Sequence, residues 1–208
     1  MPSPRILNQL LPLVAIGTVA DCQSILDTTN RALVRGGISV IQKNNYQLPG
    51  LQELMDQTGL QAKINQGYNL TSQDLGFTLS PILNSSGRLN HARLSIAGLS
   101  NSLSFADKMS ELRQAHLNDL ISRLIQTNTS RKQAVKDIFE SIEKGAKEQI
   151  SNGQNMIWLE GEWSKGLVGL LASRLVNQYN CPVVVVSKHS QVFDKELILA
   201  QAKSAFGN

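Results

Sequence analysis

The sequence predicts an α/β protein in three stretches: a mostly helical first half, a long connecting helix, and a strand, helix, strand unit that begins a parallel sheet. Three observations carry this. Apolar residues recur at helical spacing between turn signals through the first hundred residues. From Ser104 to Ile150 an amphipathic pattern runs with no Pro or Gly before Gly145. Beyond Gly153, an apolar segment, an amphipathic segment and a β-branched run follow at the lengths of a βαβ unit.

The first element is an apolar run that starts at Leu10 and closes in Gly17-Thr18-Val19-Ala20-Asp21-Cys22. An acid at the end of a hydrophobic element, with a flexible Gly before it, is held at the rim of a core. Leu33, Val34, Ile38 and Ile41 then define a helix that any of Thr28, Thr29 or Asn30 can cap, with Gly36 and Gly37 weakening it. Pro49-Gly50 opens a short helix through Leu51, Leu54 and Met55 that ends at Gly59. Thr71 and Asp74 have the spacing of a capping box at another helix start. The segment Phe77 to His91 reads as a loop. Either it is plain surface, or Asn84, Gly87 and their small polar neighbours bring backbone close to an anion that Arg88 clamps.

The long amphipathic stretch places Met109, Leu112, Leu117, Leu120, Ile121 and Leu124, then Val135, Ile138, Phe139 and Ile142, on an apolar stripe. The polar window Gln126 to Gln133 leaves open whether this is one helix or two. Asn155 to Leu159 is a buried-strand candidate, Ser164 to Tyr179 an amphipathic helix and Pro182 to Ser187 a second strand, joined by a right-handed crossover. Gly169, Ala172 and Ser173 make one face of that helix small enough for close packing on the sheet. Leu197 to Ala200 marks the start of a further strand.

Composition bounds the function only loosely. With 41% hydrophobic and 17% charged residues, the 208-residue chain has the makings of one substantial core or two small ones. A net charge of +4 permits a nucleic-acid partner without requiring one. Cys22 and Cys181 are far apart and form no metal-binding pair, so two buried reduced thiols are expected. Nothing approaches the roughly 18 apolar residues of a membrane span, and Met1-Pro2-Ser3-Pro4-Arg5 opens no secretory signal, so the expected partners include no membrane and the expected location is cytoplasmic.

Chemistry points to three places. Asp21 is either a turn acid or a metal ligand, and one carboxylate cannot hold a hard divalent ion, which needs several oxygen or imidazole ligands. Arg88 follows Gly87 in the polar segment. In the third place, Ser164, Lys165 and Gly166 open a helix whose free N–H groups and positive dipole end suit a phosphate or carboxylate, with Arg174 further along pointing elsewhere.

In this order the segments resemble one family, the DHH/DHHA1 phosphoesterases, and within it the RecJ-type single-stranded-DNA-specific exonucleases. The matches are Gly17 to Asp21, then Asn30-Arg31 and a turn over Val34 to Gly37; Asp74 to Phe77 with Pro81, Leu83-Asn84 and Gly87-Arg88-Leu89; and Trp163, Gly166, Val168-Gly169 and Ala172 to Leu175. The resemblance implies the C-terminal part of a DHH domain over 1–103, a connecting helix over 104–150 and an incomplete DHHA1 domain over 151–208. It implies a metal-dependent exonuclease of DNA repair and recombination that acts on single-stranded nucleic acid through a Mn²⁺ or Mg²⁺ centre. Asp21 matches a metal-binding aspartate of that centre and carries the catalytic and metal roles. Asn84, Gly87, Arg88, Lys165, Gly166 and Arg174 fall to the substrate phosphates.

The departures are equally specific. The family's Asp-x-Asp and Asp-His-His motifs, which supply most ligands, are absent, and His91, His116 and His189 are unpaired. Ile82 stands where the family usually has Arg, and Ser164 where it has His. Gln201 to Ser204 resembles only a degenerate form of its glycine-rich closing motif. The expectation is a chain that is inactive alone. The alternatives are a relative that binds nucleic acid or a replication partner without catalysis, and a phosphodiesterase of short oligonucleotides or cyclic dinucleotides.

Overall fold

The computed structural model describes residues 4–89, 92–100, 111–188 and 199–203. Two compact units divide the chain, one formed by Met1–Ser86 and Ala92–Asn128, the other by Gly87–His91 and Thr129–Asn208.

The described part of the first unit is helical. α1 (Pro4–Ala20) packs against α2 (Thr28–Gln42), and Gly37 sets their spacing. A Cβ there would meet the Ala15 side chain and come within 2.5 Å of the Leu11 carbonyl oxygen, so any larger residue would force the helices apart. The cap of α2 differs from the expectation of Thr28 to Asn30: it is Asp27, whose carboxylate accepts the Asn30 N–H at 2.9 Å. That residue alone combines extended backbone with an oxygen in reach of the third helical N–H.

α3 (Pro49–Gln57) and α4 (Leu60–Asn65) follow, separated by Gly59 at φ +74°, the left-handed conformation that ends one helix and admits the next. The capping box is present. Thr71 N–H and Oγ1 donate to the Asp74 carboxylate at 2.8 and 2.7 Å, opening the short helix α5 (Ser72–Asp74).

Beyond it the predicted loop is helical, which corrects the reading of 77–91 over its described residues. A π-helical turn over Leu75–Leu79 leads into α6 (Ser80–Leu83) and α7 (Ser85–Leu89). Pro81 cannot donate to the carbonyl four residues earlier, and the wider turn accommodates it: Ser80 N–H and Oγ both reach back to the Leu75 carbonyl. Polar residues misled the sequence reading here, because Ser80, Ser85 and Ser86 are buried and satisfied internally. α8 (Arg93–Ser100) completes the run.

α9 (Glu111–Ser151) is one continuous helix, which resolves the question of a break; residues 104–110 lie outside the described residues. Exposed pairs Asp119/Arg123, Lys136/Glu140 and Lys144/Glu148 line its solvent side, each worth about 0.3–0.5 kcal/mol. Its first half inserts Leu117, Ile121 and Leu124 into the core of the first unit, with Ile41, Leu51, Leu54, Met55, Leu75 and Leu79.

Its second half belongs to the other unit. Phe139, Ile142 and Ala146 pack with β1 (Ile157–Gly161), α10 (Lys165–Tyr179) and β2 (Val183–Ser187). β1 and β2 are parallel, as a βαβ unit requires, and β3 (Leu199–Lys203) joins β2 antiparallel. The further strand expected from Leu197 therefore begins, in the described residues, at Leu199. β1 is half exposed rather than buried, since Trp158, like Met156 just before the strand, faces solvent.

The sheet-facing side of α10 is Val168, Leu171, Ala172 and Leu175, so the expected small face is displaced: Gly169 and Ser173 flank the contact and Ser173 Oγ bonds back to the Gly169 carbonyl. Neither cysteine is buried. Both are free thiols, Cys22 exposed in the turn after α1 and Cys181 at intermediate depth.

Candidate nucleic-acid interface

Asp21 lies one residue past the end of α1, its N–H closing the last turn on the Gly17 carbonyl at 3.0 Å. Its side chain is exposed, and among the described residues the carboxylate accepts no hydrogen bond. No group of three or more His, Cys, Asp or Glu that could hold a metal occurs among the described residues. Asp21 has no companion ligands among the described residues, which do not by themselves fit a metal centre.

In the second unit the structure joins two of the predicted segments. Ser164 Oγ donates to the Arg88 carbonyl at 3.0 Å, and Arg88 Nη1 donates to the Gly166 carbonyl at 3.3 Å, across 76 and 78 positions of sequence. Gly166 makes this approach possible, because a Cβ there would lie 2.6 Å from Arg88 Cα and 2.7 Å from its carbonyl carbon. The glycine at the start of α10 is thus accounted for by backbone packing. Ser164 does not cap α10 with its hydroxyl, which is committed to Arg88. Lys165 is exposed beside this contact.

A further basic residue, which the sequence reading passed over, belongs with Arg88. Arg131 sits on α9 one turn before Val135, on the stripe that continues through Ile138, Phe139 and Ile142 into the core. Burial first, and the neighbouring Arg88 guanidinium second, hold its pKa below the ordinary guanidinium range. Its position on the stripe was the available signal.

Arg174 is not part of this pair. Its guanidinium lies 4.0 Å from the centroid of the Phe139 ring, a cation–π contact on the exposed side of α10. Asn84 follows α6 with an exposed side chain, and Gly87 is exposed within α7. Ile82, at the position where the resemblance leads one to expect Arg, is buried in the core of the first unit. No helix among the described residues is long and apolar enough to cross a membrane.

The described helices, small mixed sheet and long helix share the fold of part of the solved RecJ exonuclease structures. The crystal structure of exonuclease RecJ bound to manganese matches with a TM-score of 0.68 and 23% identity over 90% of this chain and 42% of that one. RecJ in complex with Mn²⁺ from Thermus thermophilus matches at 0.69 and 24%, covering 90% and 25%. No family model matches the chain.

In sequence the chain is similar to part of the proteins named single-stranded-DNA-specific exonuclease RecJ. It is 33% identical over 189 residues to the Salmonella typhimurium protein, covering 88% of this chain and 29% of that one. Identity to the Escherichia coli protein is 33% over 182 residues, and to the Bacillus subtilis protein 27% over 179. The chain spans less than a third of the length of these relatives.

Proposed function

We propose that this chain is the strand-gripping and metal-completing part of a RecJ-like, metal-dependent exonuclease of single-stranded nucleic acid, DNA by the names of its relatives. Residues 1–103 form the C-terminal part of a DHH domain, 104–150 the connecting helix and 151–208 the beginning of a DHHA1 domain, in a cytoplasmic protein. The observation that carries the reading is the joining of Gly87-Arg88 to the Ser164-Lys165-Gly166 helix start, two separated segments of the resemblance. Together with Arg131 they concentrate positive charge where a phosphate backbone can run. Asn84 and Arg174 serve as further contacts to the strand's phosphates. Asp21 contributes one ligand to a Mn²⁺ or Mg²⁺ centre whose remaining ligands come from outside the described residues.

Fluorescence anisotropy with a labelled oligo-dT strand tests the grip. The chain binds, affinity falls with salt, and Arg88→Ala lowers the slope of log K against log salt by about 0.7 for one lost phosphate contact. An unchanged slope removes Arg88 from the site. For the centre, the longer protein that carries this chain releases nucleotides in Mn²⁺ and loses that activity in Asp21→Ala; retained release takes Asp21 out of the reaction.

A second reading rests on Ile82. Where the resemblance leads one to expect an Arg, the chain buries an aliphatic residue, and Ser164 replaces the expected His with a tether to Arg88. Binding by the longer protein without metal-dependent release decides for a non-catalytic relative.

A further inference from the structure

The π-helical turn over Leu75–Leu79 carries a feature that the proposed grip leaves unused. Phe77 projects from it with 82% of its surface exposed and belongs to neither core. Exposure by itself is ordinary for a single apolar side chain; what sets Phe77 apart is that it is an aromatic ring held on an irregular turn next to the end of α1. Leu26 and Leu112 are as exposed, but neither is aromatic and neither sits on an irregular turn.

The π turn also fixes where Phe77 stands. Gly76 lies against Val19, where an added Cβ would be 3.1 Å from Val19 Cγ1, so the turn is seated on the last turn of α1, which ends one residue before Asp21. Leu75 and Leu79 anchor the turn in the core on either side of the projecting ring. Tyr68 adds a second, partly exposed ring to the same stretch, its hydroxyl donating to Asp74 at 3.0 and 3.1 Å. π turns of this kind are frequent where a helix re-aims a side chain for function.

We infer that Phe77 is a stacking platform for a base of the single strand, holding the nucleotide beside Asp21 at the end of α1. This inference rests on the strand-binding reading above and adds a contact of a different chemistry. Phosphates and cations give affinity without regard to the base, whereas an aromatic face binds any base by stacking and is indifferent to salt. The flat ring of Phe offers the same stacking face to every base.

The experiment measures binding of the 208-residue chain to two labelled strands of equal length, oligo-dT and a fully abasic strand with the same phosphates. Wild type binds oligo-dT more tightly than the abasic strand. Phe77→Ala weakens oligo-dT binding by about 5- to 150-fold, the range of one stacked base, and leaves the abasic strand unchanged. Phe77→Tyr retains affinity and Phe77→Leu does not. Equal loss on both strands, or full affinity in Phe77→Leu, overturns stacking and marks the ring as a packing surface for another protein segment. Wild type that binds neither strand overturns the strand-binding reading itself. Unchanged oligo-dT binding in Phe77→Ala, with salt-sensitive wild-type binding, overturns this inference alone.

Discussion

Gly166→Ala isolates the contact that joins the two separated segments. In an ordinary helix this change stabilises, because alanine gains about 1 kcal/mol of helix propensity over glycine. The structure reverses the sign. The new methyl would fall within 2.6 to 2.7 Å of Arg88 Cα and carbonyl carbon, backbone atoms that cannot rotate aside. Relieving that overlap costs about 1–3 kcal/mol, and moving α7 away breaks the Ser164 and Arg88 hydrogen bonds, each worth about 0.5–1.5 kcal/mol. The expected net loss is about 1–5 kcal/mol after the propensity gain. Urea unfolding followed by tryptophan fluorescence reads it directly, since Trp158 and Trp163 both lie in the second unit. Gly145→Ala is the internal control: nothing lies within 4 Å of its Cβ position in α9, and it stabilises by about 0.5–1 kcal/mol. A Gly166→Ala variant as stable as wild type, with the control behaving as stated, refutes the close approach of Arg88 to α10.

Two further expectations follow from polar contacts. The side chain of Gln149 covers the edge of β1 that pairs with no strand among the described residues, donating to the Trp158 carbonyl and accepting its N–H, both at 2.8 Å; Gln149→Ala lowers stability in urea by about 1–3 kcal/mol for the two bonds and uncovers that edge, which size-exclusion chromatography detects as concentration-dependent association. Asp74 makes the first unit acid-sensitive. Burial of its carboxyl pulls the pKa up, but the hydrogen bonds donated by Thr71 and Tyr68 outweigh this and hold it below its ordinary value of 3.8. A folded pKa below the unfolded one gives stability that is present above pH 3.8 and lost as pH falls through the folded value. Asp74→Asn therefore flattens the acid limb of an unfolding profile recorded between about pH 5 and pH 2 by circular dichroism, and an unchanged acid limb refutes the assignment.

Local periodicity and capping determined a great deal here. Helix, strand and the Thr71/Asp74 box are written within a few residues of one another, so the stripe of α9, the strands at Ile157 and Val183 and the parallel pairing of a βαβ unit were all legible. The chemistry was legible only as isolated residues. Tertiary structure decided the rest, because partners separated by 76 positions leave no periodic trace: Gly166 has its reason in the Arg88 backbone, Arg131 its neighbour in Arg88 and Arg174 its place over Phe139. It also turned the polar segment 77–89 into helix, since serine hydroxyls that satisfy nearby carbonyls can be buried, and sequence alone cannot distinguish such a hydroxyl from one in water. Asp21 shows the same division: its place at the end of α1 follows from local pattern, whereas its exposure in place of a seat at the rim of a core, and its lack of neighbouring ligands among the described residues, were decided by the fold.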